Sequence, residues 1–332
     1  MGGVRMPEGI IEYSLEPKFR RDAKRAYSTI ESMGAIWTIT QEMIEELMHG
    51  AIDMHVHAAP DPLIDTGWDQ LNVARRACDA GMRALVFKGH TIPTAATAPF
   101  VQKAIDEYAL ESGKERTLVY GGVTLNYYVG GLNPKAVELC AKVGGKVVWL
   151  PSHDSAHHNR VIEEPGGIEL LTPEGEIVPE LRTILEIIAE HDMILDPCHA
   201  GTRERFAVID AAKEIGVKRI IITHPNWNVT RASVEQQAEM GKKGAYIGLF
   251  MYGAVPHFNN PNCDPMEMFE IIEKVGPERT VIATDLGTAV NVHPVEGMRL
   301  YFRILLACGV SKADIVTMTK KNPAWLLNLD YE

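Results

Sequence analysis

Two histidines two residues apart, His55 and His57, close a short apolar run, AIDMHVH (51–57). Three more donors fall where similar runs end: His199 in MILDPCHAG (193–201), His224 in RIIITHPN (219–226) and Asp285 in TVIATDLG (280–287). Side chains alternate across a strand, so residues 55 and 57 should share one side and Met54 and Val56 the other. Such a pair can grip one ion from a rigid edge. Four imidazoles and a carboxylate suit Zn²⁺ first, with Mn²⁺ as an alternative, as one ion or two. One strand-end histidine is ordinarily a polar residue satisfied by its neighbours, and H-x-H alone decides little. The coincidence of five donors with the ends of four runs is what points to a metal centre.

Lys88 and His90 share parity at the end of RALVFKGH (83–90) and face the same mouth. A lysine ammonium there would be repelled by metal ions. As a carbamate it would offer anionic oxygens and bridge two ions; as an ammonium it would bind substrate or pair with a carboxylate. Both roles stay open. His153 and Asp154 end KVVWLPSHD (146–154) and are candidates for substrate or metal. Tyr127 and Tyr128 follow the third run, Arg203 and Arg205 follow His199, and Asn226 and Arg231 follow His224. Substrate contacts are expected from this group, above all Tyr127, Arg203 and Asn226, since an arginine fork suits a carboxylate. Cys198 precedes His199 and should face the outer layer. His157 and His158 lie in a long connection and are not expected to ligate.

These residues need a scaffold. Besides the four runs above, RALVFKGH, TLVYGGVTL (117–125), KVVWLPSHD and AYIGLFM (245–251) make eight candidate strands, separated by stretches such as LNVARRACDAG and ELRTILEIIAEH with apolar residues at helical spacing. Eight strand–helix units read as an α/β fold, a (β/α)₈ TIM barrel over 51–332, whose functional residues gather at the C-terminal ends of the strands. No G-x-G-x-x-G follows the first strand, which disfavours a dinucleotide fold. Residues 1–50 read as an N-terminal helical extension, with helices expected in 16–35 and 40–50. The connection 155–180 reads as a lid insertion after the fourth strand, with a small hairpin around TPEG.

The formal charge of −11 over 332 residues argues against nucleic acid or an anionic membrane as partner. No stretch is apolar enough to span a bilayer, and no secretory signal is recognisable. Five scattered cysteines without a C-x-x-C pair fit a reducing compartment. A cytoplasmic homo-oligomer acting on a small-molecule substrate is expected.

The order H-x-H, Lys, His, His, Asp resembles the amidohydrolase superfamily of metal-dependent barrel hydrolases. DMHVHAAPD, VFKGH, CHAG, THPN and ATDLG, ending in KKNPAWLLNLD, resemble a bacterial and archaeal branch of it, from about Ala51 to Asp330. The resemblance implies that His55, His57 and Asp285 hold one metal and His199 and His224 a second. It also implies that Asp285 accepts a proton from the attacking water. Many members take a bridging carboxylated lysine from the fourth strand; here that run ends WLPSHD, and Lys88 ends the second. The expected reaction is hydrolysis of a small lactone, cyclic amide or related acyl compound. Alternatives are a decarboxylase or other lyase on the same barrel, a metal-binding barrel without catalysis, and a phosphoesterase.

Overall fold

Runs of valine, isoleucine and leucine without a polar alternation suit strands covered on both faces. In the computed structural model, which describes residues 39–256 and 263–331, they become β1 (Ile52–His57), β2 (Ala84–Lys88), β3 (Leu118–Thr124), β4 (Val147–Trp149), β5 (Ile194–Asp196), β6 (Arg219–Thr223), β7 (Tyr246–Phe250) and β8 (Thr280–Ala283). All pair in parallel, in sequence order, as one eight-stranded sheet. The sheet closes at the β1–β8 seam: Asp285 N donates to His55 O at 2.9 Å and His57 N to Leu286 O at 2.8 Å. Gly287 runs so close to β1 that a Cβ would lie 1.7 Å from His57 O, which demands glycine there.

Outside the barrel lie α1 (Gln41–Met48), α2 (Gln70–Asp79), α3 (Ala98–Ser112), α4 (Pro134–Lys142), α5 (Ala156–Val161), α6 (Pro179–Glu190), α7 (Thr202–Ile215), α8 (Val234–Lys242), α9 (Pro265–Val275), α10 (Pro294–Ala307), α11 (Lys312–Val316) and α12 (Asn322–Leu327). Local chemistry sets their ends. Asp69 caps α2 through Asn72 N, Ser233 and Gln236 form a capping box on α8, and α3 and α7 stop at left-handed Gly113 and Gly216. The eight-strand (β/α)₈ expectation holds. Of the two helices expected near the N-terminus, the one in 40–50 is α1, and the one in 16–35 lies outside the described residues. Among the described residues no helix is long and apolar enough to cross a membrane.

The strands are shorter than the apolar runs suggested. β4 and β5 keep three residues each, so His153, Asp154 and His199 stand on loops. His224 and Asp285 also lie past their strands, where the chain turns through positive φ at Cys198 (52°), His224 (31°) and Asp285 (55°). The turn at Cys198 corrects its expected placement. Its side chain packs in the barrel core with Ile52, Trp149 and Phe250, within 3.3 Å of Lys88 Nζ.

β1 carries a second correction. Asp53 pairs with Leu85 and Val56 with Phe87, so two residues, 54 and 55, oppose the single Val86. This bulge reverses parity. Met54 therefore joins the interior cluster with Ile52 and Trp149.

Trp149 fills the barrel beneath the site. It is 1% exposed, its ring lies 5.9 Å from that of His55, and Gly122 makes room for it, since a Cβ there would come within 2.6 Å of Cζ3. Trp149→Ala should destabilise the fold by about 3–5 kcal/mol, the usual cost of emptying a packed aromatic site. Chemical denaturation measures it, and a loss near zero would mean the barrel interior does not depend on this ring.

Candidate metal centre

The strand order brings the donors of β1, β5, β6 and β8 to the same C-terminal end of the barrel. His57 Nε2 lies 3.0 Å and His55 Nε2 3.4 Å from Asp285 Oδ1, and His224 Nε2 lies 4.0 Å from Oδ2. His55, His57 and Asp285 offer ligand atoms within 4.8 Å of one another, as do His153, His158 and His199, and His57, Asp61 and His90. The histidines form a continuous wall: ring centroids are 5.2 Å apart for His199 and His224, 5.3 Å for His153 and His199, and 4.7 Å for His90 and His153.

Two aspartates underpin this wall, and the sequence reading did not single them out. Asp53 accepts from Thr284 N at 3.0 Å and Thr284 Oγ1 at 2.6 Å, fixing the residue before Asp285. Asp196 accepts from Cys198 N at 2.8 Å, Thr223 N at 3.3 Å and the Thr223 hydroxyl, fixing the residue before His224. The pairing of a strand aspartate two residues before a His or Cys-His (D-x-H, D-x-C-H) with a Thr-His or Thr-Asp at the end of the neighbouring strand was the available signal. Asp61, from the quoted DMHVHAAPD, accepts from His90 N at 2.7 Å and contacts His90 Nδ1 at 2.8 Å. The His90 ring stacks on His57 at 4.7 Å.

Burial governs the electrostatics. Desolvation pulls the pKa values of His55 and His199 well below the usual imidazole range, that of His224 to about 3, His90 to about 4 and His153 to about 2. These rings carry lone pairs at neutral pH. Burial works to raise Asp285, yet the rings of His55, His57 and His224 around it hold its carboxyl well below the ordinary range. The site thus combines a buried carboxylate anion with the imidazoles of His55 and His224, which burial discharges, and His55 Nε2 has no hydrogen-bond partner. A divalent cation fits such a donor set.

The other expected residues divide. Lys88, His90 and His153 line a cavity of about 310 Å³ with His57, His199, His224 and Asp285; Ile64, Trp227, Tyr252 and Val290 supply apolar wall that the sequence reading missed. Asp154 is turned to Tyr127 N, at 2.7 Å, and the Tyr127 side chain is exposed on the β3 loop with Tyr128. Asn226 donates to Gly253 O at 3.1 Å, behind the cavity wall. Arg203 lines a separate cleft beneath the 171–177 hairpin. Arg205 is fully buried and ties the β5 and β6 loops through Thr230 O and Cys198 O, while Arg231 pairs with Glu267.

Residues 50–248 match the model of a family described as "Family of unknown function (DUF6282)". The chain belongs to that family. No curated protein matches it. Among solved structures, the DUF6282 chain is similar to an amidohydrolase from Pseudomonas aeruginosa (15% identity, TM-score 0.56, 86% of this chain and 98% of that one). It is also similar to 2,6-dihydroxybenzoate decarboxylase from Rhizobium (14%, 0.52, 85% and 100%) and to a mutant of a PTE-like lactonase from Deinococcus radiodurans (15%, 0.56, 86% and 97%). At such identities the likeness establishes the fold alone: this DUF6282 chain folds into the same kind of barrel as those proteins.

The depressed histidines have a consequence for stability. Their folded-state pKa values lie below 6.5, so between that value and about 4 the unfolded chain binds more protons than the folded one. Stability is then complete above pH 6.5 and falls as the solution is acidified. Asp53, raised to about 7 by burial, and Asp196, also raised, act in the opposite sense but are outnumbered. Metal-free protein should therefore show a denaturation midpoint that drops steadily from pH 7 to pH 5. A flat or rising midpoint would contradict this balance.

Proposed function

We propose that this protein is a metal-dependent hydrolase that opens a small lactone, cyclic amide or related acyl compound. The observation that supports this reading is the Asp285 carboxylate, buried among His55, His57 and His224 and facing a cavity walled in part by apolar side chains. His55, His57 and Asp285 would hold one ion, zinc being the first choice for neutral imidazoles, and His199 with His224 a second. A bound divalent ion lowers the pKa of water from 15.7 to about 7 and polarises a carbonyl oxygen.

The protein's own residues then do the rest. Asp285 accepts the proton of the attacking water and returns it to the leaving group, a role open to a carboxylate whose two oxygens face different histidines. Trp227, Ile64 and Val290 pack the non-reacting part of the substrate and exclude bulk water. Lys88, whose amine lies beside Cys198 Sγ, has room in the cavity to react with carbon dioxide. The neutral amine nitrogen would attack the carbon, one proton would be released to solvent, and the carbamate would give Lys88 anionic oxygens able to hold an ion. Growth in ¹³C-labelled bicarbonate should then give one carbamate carbon signal that Lys88→Ala removes; its absence from metal-loaded protein would leave Lys88 as an amine.

A second reading is decarboxylation at a single ion. It is favoured by the completeness of the His55, His57 and Asp285 set and by the Lys88 contact with a thiol, and it accords with the likeness to a decarboxylase. Asp285→Asn keeps a ligating oxygen but accepts no proton, so kcat should fall by about 10²–10⁴-fold while metal content falls far less. Near wild-type turnover with full metal occupancy would remove the shuttle role. Oxygen-18 from solvent should enter the product of a hydrolase, whereas release of CO₂ without such incorporation would identify the lyase.

A further inference from the structure

We infer that His158, carried by α5 in the connection after β4, positions His199 by accepting a hydrogen bond from its Nδ1–H, leaving Nε2 as the nitrogen that faces an ion. This deepens the metal-centre reading, and its metal-binding arm rests on that reading. The two Nδ1 atoms are 2.8 Å apart, and the rings lie within 14° of parallel with centroids 4.9 Å apart. Face-to-face stacking does not bring two ring edges that close at that centroid separation. Nearly coplanar rings meeting edge to edge do, because the bond plus the two nitrogen-to-centre distances accounts for the separation. This is the geometry of an in-plane N–H···N bond. It also leaves no room for an ion between the two nitrogens, since imidazoles sharing a tetrahedral zinc at 2.0–2.1 Å hold their nitrogens about 3.3 Å apart.

Position supports the same assignment. His199 lines the cavity and His158 does not. The Nδ1 edge of His199 is turned to α5, so Nε2 is the nitrogen available to the cavity. A bond donated the other way, from His158 Nδ1–H to His199 Nδ1, would leave the one N–H hydrogen of His199 on Nε2 and close that nitrogen to metal. A ligating imidazole whose other nitrogen is fixed by a partner keeps one tautomer and one orientation.

The helix is built onto the β5 loop at further points. Ser155 Oγ donates to His199 O at 3.1 Å. The His157 ring fills the space at Gly201, where a Cβ would lie 2.6 Å from Nδ1, and its Nε2 meets Val229 O at 2.9 Å. Arg160 bonds Glu204 at 3.1 Å, and Glu204 accepts from Gly201 N at 2.6 Å. The connection thus grips the segment that carries His199.

Two variants and two readouts test this. In ¹⁵N-histidine NMR of the metal-free protein, His199 should be the Nδ1–H tautomer in the wild type and in His158→Asn, whose Oδ1 accepts in place of the ring, and a mixture in His158→Ala. Titrated with Co²⁺, His158→Ala should bind one ion about 10–100-fold more weakly, the usual effect of losing such a partner. His158→Asn should recover most of that loss, and both variants should reach wild-type stoichiometry at saturation. An Nε2–H tautomer in the wild type, unchanged affinity and tautomer in His158→Ala, or an ion lost outright from both variants would overturn the inference, the last making His158 a ligand. If His158→Ala fails to fold by circular dichroism, His158→Asn decides alone: wild-type tautomer and affinity support the inference, and their loss in folded protein overturns it. If the wild type takes up no Co²⁺, the metal reading fails separately and the wild-type tautomer decides for His158.

Discussion

The seam between β1 and β8 is the constraint on which the site depends. There Asp53 reaches across to the amide and hydroxyl of Thr284, His55 O receives Asp285 N, and His57 N reaches Leu286 O. These bonds close the barrel and in the same stroke set the carboxylate of Asp285 against the two histidines of β1. The device recurs three strands away around the barrel, where Asp196 of β5 holds the amide and hydroxyl of Thr223 beside His224. In both places a buried aspartate spends its hydrogen-bonding capacity on the backbone just before a donor that the ion would need. Burying these carboxylates costs desolvation, which is why Asp53 is pushed up to about 7 and Asp196 also rises although the bonds themselves favour the anion. What they return is a fixed direction for the next side chain.

The fold, and the convergence of the five candidate donors at one end of the barrel, were legible because both rest on periodic signals. An apolar run ending in a histidine or aspartate, repeated with a helix between, places its last polar residue at the barrel mouth whatever the details of the strand. What failed to show was local. Parity at Met54 was misjudged because a bulge is a two-against-one pairing, visible only with the β2 partner beside it. Cys198 was placed outside because alternation was carried three residues beyond β5, past a left-handed turn that reverses the direction of the chain. Arg203, Asn226 and Asp154 were grouped with the site because they follow its donors in sequence. A βα loop has an inner and an outer side, however, and these three are engaged with the hairpin cleft, the β7 loop and the β3 loop.

The histidines beyond the five show a different limit. His90 comes from the β2 loop and His153 and His158 from the connection after β4, and nothing in their spacing ties them to His57 or His199. Tertiary closure stacks His90 on His57 and sets His158 edge-on to His199. Each then has an anchor of its own: Asp61 for His90, and the capped helix begun by Ser155 for His158. Rings this densely packed lose freedom together, which favours one arrangement of the wall and makes the loops around it as consequential as the strands.

The balance of buried charge narrows what such a wall is for. Asp53 and Asp196 are answered by threonine hydroxyls and backbone N–H groups, and Arg205 is spent on carbonyl oxygens of the loops it ties. Asp285 is different. Its carboxylate faces imidazoles rather than backbone donors, at the floor of a cavity open to small molecules. A buried anion beside the discharged rings of His55 and His224 is costly unless a cation joins it, and such lone pairs are equally costly without an acid to receive them. One divalent ion answers both demands at once. An imidazole wall built only for packing would have no need of a carboxylate at its centre, nor of two further aspartates to hold it in register.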